Sequence, residues 1–365
     1  MALAKPAQKN SPSKQYKEII NTINHKNSIQ ILDCTLRDGG HVNNFAFGRR
    51  QIRSIVDCLG RANIDIIELG FLKNVVYHAD KSLFSNVTQA EELLEGLPHG
   101  QDYSLMIRPD WYDIAQLEPC SGRIRKIRWA FHARDLDLTL RQAQQARALG
   151  YEIYFNPVNV FSYSEAALRD MLYAVNEFEP VNVAIVDTHG SMLEPDLLHY
   201  HAVFDGLLKP GIALSVHLHD NLLLAFSLAQ KFITLTQGRR VAGIDASVLG
   251  MGRIPGNLCT ELIARYVNMQ CGGCYNLPAI YEAIQDPVAG IKQKLPWGYA
   301  LLYAETAFRK LHRSYAEYLI ESTDLSVPEA AAILAQIEGS TDREEFNEVL
   351  VQGLVSRYRS TQPTH

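Results

Sequence analysis

Ile29-Gln30-Ile31-Leu32-Asp33-Cys34-Thr35-Leu36-Arg37-Asp38-Gly39-Gly40-His41 is the stretch on which the reading of the chain turns. A largely apolar run, Ile29 to Leu32, leads straight into Asp33, Thr35, Arg37, Asp38 and His41, with Gly39 and Gly40 between the last two. An apolar run too short for a helix and closed by glycines suits a buried parallel strand whose C-terminal end opens into a site. Arg37 and Asp38 carry opposite charges side by side, so one can meet a developing anion while the other binds a cation. A plain Arg–Asp pair at a strand end is the competing reading of this segment alone, and the rest of the chain has to decide.

The same unit recurs downstream. Apolar segments near residues 29, 64, 103, 125, 152, 182, 213 and 242 read as strands, and each except the third is followed by a helical pattern. Arg49 to Ala62 places Ile52, Ile55, Val56 and Leu59 on one face; Gly150 reads as a helix C-cap and Ser164 as an N-cap. Eight βα units over about 240 residues predict an α/β fold, a TIM (β/α)8 barrel. An open doubly wound sheet would usually carry a Gly-rich nucleotide turn after its first strand, and no G-x-G-x-x-G occurs there. The expected organisation is an N-terminal extension (1–27), a barrel (28–285) and a helical C-terminal subdomain (286–365). In that last part Tyr299, Leu302, Tyr303, Phe308, Leu311, Tyr315 and Leu319 recur at helical spacing, suited to packing on the barrel mouth or on a partner.

Composition narrows the function. The chain has 365 residues, 47% hydrophobic and 21% charged, with a net charge of −5. No clustered basic excess points to nucleic acid or a membrane surface, so small-molecule chemistry is expected. Residues 1 to 17 are polar and Lys-rich without the apolar core of a signal peptide, and no apolar run reaches a bilayer span, so the expected location is cytoplasmic. Six scattered cysteines do not form the dense framework of a secreted module, and Cys271-Gly-Gly-Cys274 is half of a zinc-ribbon signature without the other half.

In a TIM barrel the strand C-termini face one mouth. Reading those ends together collects Arg37, Asp38 and His41 from strand 1, Asp187 and Thr188 from strand 6, His217 and His219 from strand 7, and Asn257 from the loop after strand 8. Side chains two apart on a strand share a face, so His217 and His219 can bind one ion. With Asp38 they form a two-histidine, one-carboxylate set with open positions, suited to a divalent metal that holds a 2-oxo acid or its enolate. A single buried histidine is more often a satisfied core residue; two at this spacing are not.

Leu36-Arg37-Asp38-Gly39, His217-Leu218-His219 and Gly256-Asn257-x-x-Thr260-Glu261 together resemble the DRE-TIM metallolyase superfamily over roughly residues 28 to 320. Within it, Arg37-Asp38-Gly39-Gly40-His41 looks like the class II 4-hydroxy-2-oxovalerate (pyruvate) aldolases. The synthases carry Glu-Gln after the glycine, the lyases a cysteine in the glycine loop, and the carboxyltransferases a lysine on a mid-barrel strand; residues 249 to 257 hold no cysteine and 151 to 163 no lysine. The resemblance implies a carbon–carbon lyase that cleaves or forms a 4-hydroxy-2-oxo acid from pyruvate and an aldehyde through a metal-held pyruvate enolate. It implies a divalent metal, manganese first with magnesium or cobalt as alternatives, on Asp38, His217 and His219, with Asn257 as a further candidate ligand. His41 becomes the group that takes the hydroxyl proton, Arg37 the enolate stabiliser and Thr188 a contact to the pyruvate carboxylate. Trp297-Gly-Tyr-Ala-Leu-Leu-Tyr303 resembles the aldolases' own Leu-Gly-Tyr segment, which makes Tyr299 a candidate catalytic tyrosine; as pattern alone it also suits a buried aromatic on an amphipathic helix. Asp33 and Glu68 are expected behind the site rather than on the metal. The runners-up are a Claisen-type acyl-CoA synthase of the isopropylmalate or citramalate type and a non-enzymatic scaffold retaining a metal site. Gly40 and Phe45-Ala-Phe47 depart from the catabolic aldolases, so the aldehyde is open. Those aldolases pass it to a dehydrogenase partner, a use the C-terminal helices could serve as readily as a homodimer.

Overall fold

A computed structural model describes residues 29–97, 100–253, 255–339 and 345–361. The expected extension 1–27 lies outside the described residues. Eight parallel strands form the frame: β1 (Ile29–Asp33), β2 (Ile66–Leu72), β3 (Asp102–Ile107), β4 (Ile124–Phe131), β5 (Glu152–Pro157), β6 (Asn182–Asp187), β7 (Ala213–Leu218) and β8 (Ala242–Ala246). Each pairs with its neighbours in sequence, and β1 pairs with both β2 (Leu32 opposite Ile66) and β8 (Leu32 opposite Asp245), which closes the barrel.

The strands are apolar on the outward side because helices cover them. Arg49–Arg61, Leu136–Ala148, Glu165–Phe178, Glu194–Leu207, Ala225–Thr236 and Thr260–Gln270 supply that layer. Ser164 caps its helix by accepting from the Ala167 N–H, and Gly150 turns the chain at φ +96° after the preceding one. The second unit is thinner than its sequence pattern predicts: a two-residue strand, Leu83–Phe84, adds to the edge of β2, and Val87–Glu91 is all the α-helix that follows. After β3 there is only the 3-10 turn Ile114–Gln116.

Inside the barrel the inward side chains form layers. At the floor Leu32, Ile66 and Tyr154 pack together, and Lys126 below them bridges Asp102 (2.9 Å) and Glu152 (2.7 Å). Above lie the charged side chains Glu68, Arg128 and Asp245, and above those the mouth. On β4 the sequence Lys126, Arg128, Ala130 climbs through all three levels by the two-residue period of a strand.

The barrel core extends past residue 285. Leu277–Ala283 packs beside Arg49–Arg61, tied by Arg61 to Glu282 (2.7 Å), and Val288 and Trp297 still belong to the barrel's apolar cluster. A separate core begins near Leu302 and joins Leu301–Phe308, Ser314–Glu321, Val327–Ile337 and Glu348–Thr361 through Leu311, Tyr315, Ile333, Leu334 and Val351, among others. This bundle sits on the mouth: Arg134 meets Glu345 (2.7 Å), Lys310 meets Asp196 (3.4 Å), and the rings of His189 and His312 lie 5.0 Å apart.

Candidate active site

Asp38, His217 and His219 each offer a ligand atom, and the three lie within 4.8 Å of one another; among the described residues no other such group forms. Asp38 lies five residues past the end of β1, where the chain enters the short 3-10 segment Gly39–His41, while the histidines rise two apart on β7 and beyond it. The backs of both imidazoles face acceptors. His219 Nδ1 stands 2.9 Å from the Asp187 carbonyl oxygen, and His217 Nδ1 3.2 Å from Asp245 Oδ2. That leaves each Nε2 lone pair for the interior, with His219 Nε2 3.6 Å from Asp38 Oδ2. Histidines backed by acceptors and open in front are the arrangement metal ligands require, with the hydrogen bond formed at His219 and the Asp245 carboxylate facing His217. Burial pushes the His217 pKa down, which keeps its ring neutral and able to ligate. The donor set of two imidazoles and one carboxylate fits a divalent cation.

Beneath this set runs a buried chain of alternating charge. Arg37 donates from Nη1 to Asp38 (2.6 Å) and from Nε to Glu68 (2.6 Å); Glu68 also accepts from Arg128 (3.0 Å), which in turn binds Asp245. Against the penalty of burial, Arg37 and then His219 hold the Asp38 carboxylate well below its usual range, and Arg128 and His217 bring Asp245 down to about 2. The three carboxylates outnumber the two guanidiniums, so the lattice retains negative charge for a cation.

His41 faces the same cavity, of about 130 Å³, in which Arg37, Asp38, Thr188, His217 and His219 also take part. Burial, and then the Arg253 guanidinium 3.4 Å from its Nδ1, push His41 down to about 3. It is therefore neutral near pH 7, with an unprotonated ring nitrogen facing the cavity's charged groups. Phe45 and Phe71 wall it in, with ring centroids at 5.0 and 6.0 Å, and Trp111 meets Phe71 at a tilt of 55°. Gly40 makes this possible, since a Cβ there would stand 2.3 Å from the Phe45 ring.

Other expected residues take supporting places. Glu68 is fully buried between two arginines, and Asp33 accepts from Thr260 (2.6 Å) and the Thr35 N–H (2.9 Å), so both stand behind the site as expected. Asp187 turns into its own loop and accepts from the Ser191 and Met192 N–H groups. Asn257 donates from Nδ2 to Asp38 Oδ2 (2.8 Å) and to the Met251 carbonyl oxygen (3.1 Å), which orients the carboxylate, while its own Oδ1 is buried without a partner. Gly252 passes so close that a Cβ would lie 2.5 Å from that amide, which gives the glycine-rich loop a steric reason. Tyr299 does not reach the cavity. Trp297 turns inward and donates to the Leu249 carbonyl oxygen (2.9 Å), Gly298 reverses the chain at φ +137°, and Tyr299 is left 54% exposed.

Residues that the sequence reading did not single out complete the mouth: Arg108, Trp111, Asn156, Arg253 and Arg313 line the cavity, and Arg128 and Asp245 support it. Asp245 leaves one signal in the sequence, the single charge in an otherwise apolar strand, whereas Arg128 shares β4 with Arg125 and Lys126 and does not stand out. Arg253 and Arg313 leave none, because tertiary packing alone brings them there.

A family model described as HMGL-like matches residues 28–284. The chain belongs to the HMGL-like family. Among curated proteins, the 4-hydroxy-2-oxovalerate aldolase of Geobacillus thermodenitrificans is 25% identical over 320 residues, covering 82% of this chain and 89% of that protein. The protein of the same name from Bacillus cereus is 26% identical, covering 82% and 91%. Among solved structures, the HMG-CoA lyase of Brucella melitensis aligns with a TM-score of 0.56 at 15% identity, covering 74% of this chain and 99% of that one. The carboxyl transferase domain of Rhizobium etli pyruvate carboxylase aligns at 0.66 and 12% identity, covering 99% of this chain and 66% of that one. These two likenesses are of fold, and the HMGL-like membership agrees with the resemblance carried by the sequence motifs.

Proposed function

We propose that this HMGL-like protein is a divalent-metal-dependent aldolase that cleaves, or in reverse forms, a 4-hydroxy-2-oxo acid from pyruvate and an aldehyde. One observation carries the reading: a neutral, walled-in His41 shares a small cavity with Asp38, His217, His219 and Arg37. The names of relatives that align over four-fifths of the chain point the same way.

Asp38, His217 and His219 would hold the metal, which when bound supplies Lewis-acid polarisation of a 2-oxo acid's keto group. Arg37 has Nε and Nη1 engaged by Glu68 and Asp38, which fixes its plane and leaves Nη2 to donate to the oxygen that gains charge on cleavage. His41 accepts the proton of the C4 hydroxyl as the carbon–carbon bond breaks, and a proton is delivered to carbon 3 of the enolate to release pyruvate; both transfers reverse in the condensation direction. Burial first, and then the Arg253 cation, keep the His41 ring neutral in the resting site, at the cost of a weaker base. Thr188, whose Oγ1 accepts from the Asn159 N–H (2.7 Å), keeps its own hydroxyl proton for a substrate carboxylate. Phe45, Phe71 and Trp111 exclude water from the reacting carbons. Manganese is the first choice of ion.

The test is incubation with Mn²⁺, pyruvate and a panel of aldehydes, with products followed by mass spectrometry. A 4-hydroxy-2-oxo acid is the expected product. Free thiol released from acetyl-CoA and a 2-oxo acid, with no aldehyde consumed, would replace the aldolase by a Claisen-type synthase.

A further inference from the structure

A second compartment, of about 480 Å³, adjoins the reaction cavity. The two share Arg108, Val158, Thr188 and Arg253, so they are continuous. Barrel loops supply His132, Asn159 and His189 to its wall, and the C-terminal bundle supplies His312 and Phe346. Acetaldehyde or propanal would leave this space to water.

Its charge is one-sided. Arg108, Arg253 and Arg313 converge at the junction. Arg108 is held loosely by Asp110, at 3.2 and 3.3 Å, with its guanidinium 4.6 Å from the Trp111 ring centroid, and Arg313 is held by Glu317 at 2.9 Å. Arg253 has no carboxylate within ion-pair distance among the described residues; its hydrogen-bond partner is His41. The carboxylate in the wall, Glu345, is occupied by Arg134 at 2.7 Å. An arginine left facing two others is costly unless an anion joins them, and a planar fork of donors matches carboxylate or phosphate.

Two buried histidines make an independent observation. His189 is 7% exposed and lines the compartment, and its Nδ1 has no partner. His312, beside it, accepts the Ser314 N–H on Nδ1 (3.2 Å), so its neutral ring carries the proton on Nε2 as a donor. An unsatisfied buried nitrogen next to a cationic junction calls for a polar ligand.

Resting on the aldolase reading, we propose that this compartment binds a negatively charged group, carboxylate or phosphate, at the far end of the aldehyde portion of the substrate. The physiological aldehyde is then an acidic or phosphorylated one, unlike the short neutral aldehydes that a pocket of the first cavity's size would take.

Matched pairs test this. With Mn²⁺ and pyruvate, 4-oxobutanoate is compared with butanal, and glyceraldehyde 3-phosphate with glyceraldehyde. The charged member of one pair should have the higher kcat/KM by at least about tenfold, and which pair responds separates carboxylate from phosphate. Arg108→Gln should collapse that ratio, and Arg108→Lys should restore part of it. In parallel, binding of succinate and inorganic phosphate to the metal-free protein is measured by calorimetry; one should bind, and Arg253→Gln should weaken it at least about tenfold. Equal use of charged and neutral aldehydes, with neither anion bound, overturns the proposal. If no aldehyde is consumed yet an anion binds and Arg253→Gln abolishes it, the aldolase reading falls while the anion site stands.

Discussion

At the scale of single residues, His41 and Asp245 separate chemistry from ligation. His41 touches no proposed ligand atom, so His41→Ala should lower kcat by roughly 10²- to 10⁴-fold while metal stoichiometry, measured on the purified protein, stays the same; unchanged turnover would remove its proton-transfer role. Asp245→Asn acts from behind. Losing the carboxylate at His217 Nδ1 should weaken Mn²⁺ affinity by roughly 10- to 100-fold, read by calorimetry. Undiminished affinity would show that Asp245 does not orient the ligand. The residues in front were legible because a strand's period puts His217 and His219 on one face and a glycine pair frees Asp38 at a strand end. Arg128 and Asp245 were hidden because a charge within a strand looks the same whether it faces solvent or a barrel interior. Tyr299 lies outside the cavity in this structure: its flanking motif suited the site, and here the positive φ at Gly298 and the anchoring of Trp297 leave it exposed.

At the scale of elements, the turn after β1 does two jobs that one glycine couples. Gly40 gives the Phe45 ring its place, and that ring packs on His41. Gly40→Ala should therefore cost roughly 1–3 kcal/mol of stability through overpacking and should also lower turnover by disturbing His41; full stability in a urea titration would contradict the packing. On β4, Arg128→Met would leave Glu68 and Asp245 short of a buried counter-charge, at a cost of roughly 3–5 kcal/mol. The eight strands could be read from apolar periodicity alone. The thin second unit could not, because its segment has helical composition yet spends part of its length on the strand Leu83–Phe84, a pairing that depends on β2.

At the scale of the whole molecule, the C-terminal bundle is part of the site rather than an appendage. It places His312 and Arg313 at the mouth, and their position could not be read from helical spacing, which shows a face but not what it meets. Burial pushes His41 and His312 down to about 3 and about 4, and lowers His189 and His217 as well. A histidine depressed in the folded state takes up its proton first in the unfolded one, so stability should fall as pH drops from about 6.5 towards 4. Asp33 and Asp187, raised to about 6 by burial, and Asp65, Asp220 and Glu261, raised in the same way, work in the opposite direction, but with His132 and His201 also lowered the six histidines outnumber these five carboxylates. The metal-free protein should have a clearly lower urea midpoint at pH 5 than at pH 7, by about 1.4 kcal/mol per pH unit for each uncompensated proton. An equal midpoint would mean that these rings are not buried as described.

The account stands on one step, removal of a proton-equivalent from carbon 3 of pyruvate beside Asp38, His217 and His219. The most direct measurement needs no knowledge of the aldehyde: pyruvate is incubated with the Mn²⁺-loaded protein in D₂O and its mass followed. Wild type should add deuterium at the methyl group, and Asp38→Asn should not. Pyruvate that keeps its mass with fully loaded wild-type protein would contradict the enolate chemistry on which the proposed function rests.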